Sequence, residues 1–329
     1  MSTIHFLNVN NGDCSIIQHN SGNITVVDVC NAAKLSVITE DSVGTESVYK
    51  SFAVKGNFHQ KEHPENPIAY LRNIVKADCI FRYVQTHPDM DHMDGIKALF
   101  ETFDVYNFWD TENNKVIDKD SDMGPYNRDD WDYYQNVRKN STHPKVLHLY
   151  SDARGQYYNK NDDGTSGGDG IYILSPTEEL VNQANESGEY NELSYALLYR
   201  TGKYKIIFAG DTEESSWNQI LKNHKSDISN VDLLIAPHHG RKSGGNDNYL
   251  DVLQPKLTLF GNADSQHLDY SSWNNRNLLH ITNNQAGNIV VDFSDGNMDV
   301  YCSNGNFAKA DNDDTFYNSD FDAYFLMRI

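Results

Sequence analysis

The chain has 329 residues, 38% of them hydrophobic, so it is long enough to enclose a substantial apolar core. Acidic residues outnumber basic ones by 47 to 27, and the formal net charge of −20 excludes a broad cationic surface for non-specific binding of nucleic acid. No apolar run approaches the roughly 20 residues that cross a bilayer, and the four cysteines are scattered, which is typical of a cytoplasmic protein with no membrane partner.

The beginning of the chain predicts strands and one helix. Short apolar strands, separated by Asn- and Gly-rich turns, favour an antiparallel meander over residues 3–9, 14–19 and 25–29. Pro67 begins a predicted helix, and an apolar strand follows at residues 79–84. That strand leads directly into Thr86-His87-Pro88-Asp89-Met90-Asp91-His92, which precedes a short amphipathic helix. This motif therefore lies in a loop between a strand and a helix.

The rest of the chain predicts a polar segment and then alternating strands and helices. Residues from about 110 to 170 are rich in Asn, Asp, Gly and Tyr, and we predict an insertion or lid there, with a helix starting near Asp129. Further strands are predicted at 171–174, 195–199, 205–208, 233–236, 257–260, 288–293, 298–302 and 324–329. No internal repeat is present, and we predict one domain over residues 1–329.

Four potential metal ligands stand within six residues of the first motif. They are His87, Asp89, Asp91 and His92. Imidazole and carboxylate groups hold divalent ions, and so many carboxylates can hold two of them. The alternative is a solvated acidic turn in which the histidines only pack, but aspartates interleaved with histidines are uncommon in such turns.

Two later motifs also place polar side chains directly after apolar strands. Asp211 follows Phe208-Ala209-Gly210, and His238 and His239 stand together in Ala236-Pro237-His238-His239-Gly240. Either motif alone is weak, because an aspartate after a strand is usually an ordinary turn residue. Their order after the first motif makes both candidates for the same site.

Together these motifs resemble those of the metallo-β-lactamase superfamily and, within it, the hydrolase domain of ComEC-type competence proteins and their stand-alone relatives. The resemblance spans nearly the whole chain. It rests on residues 8–13 with Val27-Asp28, residues 86–95, Asn191 with Ser194, Gly210-Asp211, and residues 237–240. It implies an α/β fold, an αββα sandwich of two mixed β-sheets flanked by helices, with a metal site at one edge.

The resemblance also implies a role for each ligand of a two-cation site. His87 and Asp89 would bind the first cation, Asp211 would bridge, and the second cation would be bound by Asp91, His92 and His238. Asn191 and Ser194 stand where many members supply another histidine, which would leave the first cation more open. Asp89 stands where the commonest motif has histidine, and this harder ligand makes Mn²⁺ or Mg²⁺ more competitive with Zn²⁺.

The implied chemistry is hydrolysis by a hydroxide bound between two divalent cations. Asp91 would orient that hydroxide, and His239 or His267 would protonate the leaving group. Asp13 and Asp28 are expected to support the ligands or the turns rather than to bind metal.

Three functions remain open from the sequence. The favoured substrate is a phosphodiester, in nucleic acid or in a smaller nucleotide, and the charge of the chain favours a small or single-stranded one. An ester, lactone or thioester is an alternative substrate for the same site. The non-enzymatic alternative is a metal-stabilised module that binds a partner protein through the acidic insertion.

Overall fold

Two β-sheets form the centre of the molecule. The computed structural model describes residues 2–33, 56–160, 165, 167–242, 245–263 and 267–329. In spatial order, the first sheet contains β15 (Tyr317–Asn318), β16 (Ala323–Arg328), β14 (Asp299–Cys302), β13 (Ile289–Asp292), β1 (Thr3–Phe6), β2 (Ser15–Gln18), β3 (Ile24–Val27), β4 (Cys79–Val84), β5 (Asp104–Trp109) and β6 (Lys145–Leu147). The second contains β12 (His280–Thr282), β11 (Leu257–Phe260), β10 (Leu233–Ile235), β9 (Tyr204–Phe208), β8 (Ala196–Thr201) and β7 (Ile171–Ser175).

Both sheets are mixed. In the first, β3, β4, β5 and β6 pair in parallel, whereas the strands on the other side of β3 pair antiparallel. In the second, β9 to β12 are parallel and β7 and β8 are antiparallel. The predicted antiparallel meander of β1, β2 and β3 is therefore confirmed, and β13 and β14 form a further antiparallel pair.

Helices lie outside the two sheets. They are α1 (Pro67–Tyr70, continued by a π-helical turn at Leu71–Val75), α2 (Ile96–Thr102), α3 (Arg128–Asn140), α4 (Glu178–Ser187), α5 (Glu214–Ile228), α6 (Tyr249–Leu253), α7 (Tyr270–Asn274), α8 (Asn283–Ala286) and α9 (Gly305–Asp311). Single 3₁₀ turns occur at Gln60–Glu62, Met90–His92, Tyr190–Leu193, Pro237–Gly240 and Ser294–Gly296. Within the described ranges, none of the helices combines the length and apolar character needed to traverse a bilayer.

Alternating side chains on the strands produce the layers, because successive residues of a strand face opposite sides of its sheet. In β8, Leu197 and Tyr199 pack between the two sheets, while Leu198 packs outward with Trp217 of α5. In β2, Ile17 packs inward and Ile16 packs toward the helices on the outer face of the first sheet. The layers run helix, sheet, sheet, helix, so the predicted αββα sandwich is confirmed.

The segment from 110 to 170 contributes to this framework. Its strand β6 extends the first sheet, and Trp131, Tyr134 and Val137 of α3 are buried against that sheet's outer face. Residues 161–164 and 166 of the segment lie outside the described part of the chain. The described part of the predicted insertion thus includes an edge strand, β6, and a packed helix, α3. The loop between β5 and α3 therefore starts and ends at elements of the framework.

Candidate metal centre

The three predicted motifs meet at one edge of the sandwich. The first motif follows β4, Asp211 follows β9, and His238 and His239 follow β10. Since β9 and β10 are parallel neighbours, their carboxyl ends lie together, and the His238 amide donates to the Gly210 carbonyl at 3.0 Å. The Tyr195 amide donates to the Thr86 carbonyl at 3.0 Å, which ties this edge to β4 of the other sheet.

The Asp211 carboxylate lies at the centre of the cluster. It is 3% exposed, and the Nε2 atoms of four imidazoles surround it. Its Oδ1 lies 3.2 Å from Nε2 of His92, and its Oδ2 lies 3.7 Å from that of His238 and 3.8 Å from those of His87 and His239. A single carboxylate within reach of four imidazoles is the arrangement expected of a bridging ligand.

The other predicted ligands lie on two sides of Asp211. On one side, Nε2 of His87 is 3.8 Å from Oδ2 of Asp89. On the other, Nε2 of His239 is 3.6 Å from Oδ2 of Asp91. His87, His92 and Asp211 form one group whose ligand atoms lie within 4.8 Å of each other, and Asp91, His92 and His239 form a second. The geometry therefore offers two overlapping cation positions.

His238 and His239 occupy different places from those that the resemblance implied. The histidine facing Asp91 is His239, which is fully buried. The His238 side chain is 20% exposed, with Nδ1 3.6 Å from Oε1 of Glu213. Their backbones explain the difference, since both residues have a left-handed φ, 51° for His238 and 58° for His239, so the chain turns sharply between them.

Three other predicted residues do not join the ligand groups. His267 is exposed, and its carbonyl accepts from the Lys242 amide. The Asn191 side chain donates to Oε1 of Glu213 at 3.1 Å, and the Ser194 hydroxyl is buried with no hydrogen-bond partner among the described residues. Neither position carries a histidine, so the resemblance implies that a first cation would have an open side there.

Asp28 and Asp13 lie behind the ligands. Oδ2 of Asp28 is 2.7 Å from Nδ1 of His92, and the same carboxylate accepts from the amide and hydroxyl of Thr86. Oδ1 of Asp13 is 2.9 Å from Nδ1 of His239. Each carboxylate holds an imidazole so that its Nε2 faces Asp211, which is how carboxylates commonly orient metal-binding histidines.

Two residues of the site were not predicted from sequence. Glu213 faces His238 and Asn191, and it follows Asp211 so closely that the strand-end pattern could have included it. Lys115 forms an ion pair with Oδ1 of Asp89. Lys115 lies in the polar segment between β5 and α3, where no local pattern distinguishes it from other exposed lysines.

The donor set fits divalent cations. Nε2 of His87, His92 and His239 and Oδ1 of Asp211 are all buried, and none has a hydrogen bond of acceptable geometry within the described ranges. Buried polar atoms normally have partners, since leaving one unsatisfied costs roughly 1–3 kcal/mol. Electron-pair donors that face one another across less than 4 Å are satisfied together by a cation between them.

The ionisation of the cluster also reflects this crowding. Burial alone would raise the pKa of Asp211, but the imidazoles of His92, His239 and His87 reverse that shift and hold the pKa well below its usual range. Burial lowers the pKa of His239, whereas the negative charges of Asp13 and Asp211 more than offset this and raise it to about 10. Without metal, His239 is therefore protonated at neutral pH.

Metal affinity is consequently expected to rise with pH. A protonated imidazole cannot bind a cation, so metal must displace the His239 proton at any pH below about 10. Each displaced proton makes the apparent affinity rise about tenfold per pH unit. Zinc titration against a competing chelator at pH 6, 7 and 8, corrected for the chelator's own protonation, measures the slope. A His239→Gln variant should lose about one proton from the slope, and an affinity independent of pH would contradict the prediction.

Comparisons with known proteins find likeness in solved structures alone. No protein-family model matches the chain, and no curated protein matches it. The metallo-beta-lactamase fold protein YhfI from Bacillus subtilis has 10% sequence identity and a TM-score of 0.42, with 86% of this chain and 96% of YhfI covered. A diphosphatase of the PhnP family has 12% identity and a TM-score of 0.40, with 79% of this chain and 86% of that chain covered.

A third similar structure is CmlA, a diiron beta-hydroxylase from Streptomyces venezuelae. It has 15% identity and a TM-score of 0.39, with 78% of this chain covered. The match covers 44% of the CmlA chain, so the present chain spans less than half of that protein.

Proposed function

We propose that this chain is a metallo-β-lactamase-type hydrolase, similar to the ComEC-type branch, that uses two divalent cations to cleave phosphodiester bonds in nucleic acid or nucleotides. One observation carries the proposal: the Nε2 atoms of His87, His92 and His239, from two distant stretches of the chain, converge on Asp211 in a third. These atoms are buried and have no hydrogen-bond partner among the described residues. We assign His87, Asp89 and Asp211 to the first cation, with His238 on its open side. We assign Asp91, His92, His239 and Asp211 to the second.

The cations supply Lewis acidity that lowers the pKa of a bound water and stabilises negative charge on the attacked centre. The protein's own groups then have separate tasks. Asp91, whose side chain is 23% exposed, accepts a hydrogen bond from the attacking water and so fixes its direction. His239 is fully buried between Asp13 and Asp91 and holds the carboxylates in place.

Protonation of the leaving group is assigned to His238. Its side chain reaches solvent, while its Nδ1 faces Glu213, which can orient the imidazole. Asn191 in turn donates to Glu213 and keeps that carboxylate in position. His239 lacks exposure, and His267 is outside both ligand groups, so neither is as well placed for this step.

A phosphodiester is favoured because two cations suit in-line displacement at phosphorus, where charge develops on both the entering and leaving oxygens. The carboxylate-rich ligand set suits Zn²⁺ or Mn²⁺. Because the chain carries a net charge of −20, a short or single-stranded substrate meets less repulsion than a long duplex.

The test combines elemental analysis with a substrate comparison. We expect about two Zn²⁺ or Mn²⁺ ions per chain and cleavage of bis-p-nitrophenyl phosphate in preference to p-nitrophenyl acetate. His92→Ala and Asp91→Ala should lose metal and cleavage together, whereas the exposed-site control Asp120→Ala should keep both. Preferential cleavage of the acyl ester would favour the ester, lactone or thioester alternative. Metal binding without any hydrolysis would favour the partner-binding module.

A further inference from the structure

Lys115 brings a positive charge to the edge of an otherwise acidic centre. Its ammonium group pairs with Oδ1 of Asp89, and its side chain is 23% exposed, so it reaches both the ligand and solvent. Among the lysines and arginines that the structure describes, no other forms an ion pair with Asp89, Asp91 or Asp211. The position of the Lys115 ammonium group depends on the contacts that hold its loop.

A buried network fixes that loop to α3. The Arg138 guanidinium donates to Oδ2 of Asp110 at 2.8 Å, to the Thr111 carbonyl at 2.9 Å and to the Asn113 carbonyl at 3.0 Å. The Tyr134 hydroxyl donates to the other oxygen of Asp110 at 2.6 Å. Asp110 is fully buried, so these bonds lie in a low-dielectric interior where breaking them is costly.

Asn114, the residue before Lys115, is anchored by different partners. The Asn114 amide donates to Oδ1 of Asn185 at 2.8 Å, and the Tyr190 hydroxyl donates to Oδ1 of Asn114 at 2.8 Å. The ammonium of Lys115 also lies 5.4 Å from the centroid of the Tyr190 ring. Residues 110–114 are thus held from two directions, by α3 and by the side chains of Asn185 and Tyr190, which fixes the segment that leads into Lys115.

The two oxygens of Asp89 face different partners. Oδ2 lies 3.8 Å from Nε2 of His87, on the side of the first cation position, whereas Oδ1 faces Lys115. If Oδ2 held a cation, the ammonium would lie on the other side of the same carboxylate, near the ring of Tyr190, which is the neighbour of Asn191. An ammonium group has three donors, and one bond to Asp89 leaves two for another acceptor.

We propose that Lys115 is a substrate-binding residue that holds a non-bridging phosphate oxygen at the open side of the first cation position. This inference rests on the proposed function and specifies that the substrate carries its negative charge there. A charged substrate gains from the ammonium, while a neutral ester gains little, so Lys115 also distinguishes between the two substrate classes.

The test uses the metal-loaded full-length protein and the variants Lys115→Met and Lys115→Arg. Methionine keeps a long unbranched side chain but removes the charge. For Lys115→Met we expect the KM for bis-p-nitrophenyl phosphate to rise between about 10- and 100-fold, with kcat changed less than about threefold. Lys115→Arg should recover part of the loss. The matched control is Lys119→Met, an exposed lysine of the same segment.

Binding of inorganic phosphate by calorimetry, together with metal content by elemental analysis, gives a readout independent of turnover. Lys115→Met should weaken phosphate binding by a similar factor and keep the metal content of the parent. Unchanged KM and phosphate affinity would overturn the inference and leave the proposed function standing. Loss of metal from Lys115→Met would also overturn it, because Lys115 would then position Asp89. If the parent cleaves no phosphoester, the proposed function fails, and phosphate affinity still decides the role of Lys115.

Discussion

Asp211→Asn should abolish two-metal binding and lower kcat/KM for a phosphodiester by at least about 10³-fold, equivalent to about 4 kcal/mol of transition-state stabilisation. Asparagine has nearly the same shape but carries no charge, and only its carbonyl oxygen can bind a cation. The bridge between the two cation positions is lost, and the imidazoles of His87, His92 and His239 lose the carboxylate that faces all three.

Metal content and steady-state kinetics of purified Asp211→Asn measure this effect. Circular dichroism should show that the variant folds, since the substitution adds no volume. Asp120→Asn, which removes the same charge from an exposed position, is the control and should behave as the parent. An Asp211→Asn protein that retains two ions and parental kcat/KM would refute the bridging role.

The second large effect is expected from Gly12→Ala. Gly12 has a φ of +144°, and a Cβ atom there would lie 2.0 Å from the backbone oxygen of Asp91 and 3.0 Å from Sγ of Cys30. The backbone of Asp91 must therefore move, since its oxygen cannot rotate away. We expect unfolding to become easier by about 3 kcal/mol and kcat/KM to fall at least about 100-fold, because Asp91 is displaced from its direction toward His239.

Chemical denaturation and kinetics of Gly12→Ala test both parts of this prediction. Gly22→Ala is the matched control, because Gly22 also has a positive φ, +87°, but no atom lies within 4 Å of the added Cβ. It should show only the cost of backbone strain, about 1 kcal/mol, with full activity. Equal losses in the two variants would show that strain, rather than contact with Asp91, accounts for the effect.

Local patterns were sufficient for the elements that lead into the site. The predicted strand at 79–84 has the bounds of β4, and Asp211 and the histidine pair follow strands as expected. Such patterns are predictive at these positions because a buried strand appears in the sequence as an apolar run, and the loop at its carboxyl end appears as a group of polar residues. The layered α/β fold was implied by the family resemblance of the motifs, and the two mixed sheets confirm it.

The places of His238, His239 and Lys115 in the site depend on contacts between distant parts of the chain, which local sequence patterns do not reveal. Which of His238 and His239 faces Asp91 depends on left-handed backbone geometry and on Asp13, far away in the sequence. Lys115 reaches Asp89 from a loop whose preceding residues are held by Arg138 of α3. The hydrophobic periodicity of the sequence cannot predict either arrangement, since both depend on tertiary contacts.

His87 and His92 follow a strand of the first sheet, whereas Asp211 follows a strand of the second sheet that comes much later in the chain. The candidate metal centre can therefore assemble only after both parts of the chain have been synthesised. A growing polypeptide exposes His87 and His92 long before the ribosome has released β9 and β10. Until then the early motif has two imidazoles and two carboxylates but no Asp211 to join them. Under the proposed function, cations would therefore enter only after both sheets have been made and have packed together. A fragment truncated before β9 would carry the histidine-rich motif and yet bind these ions weakly.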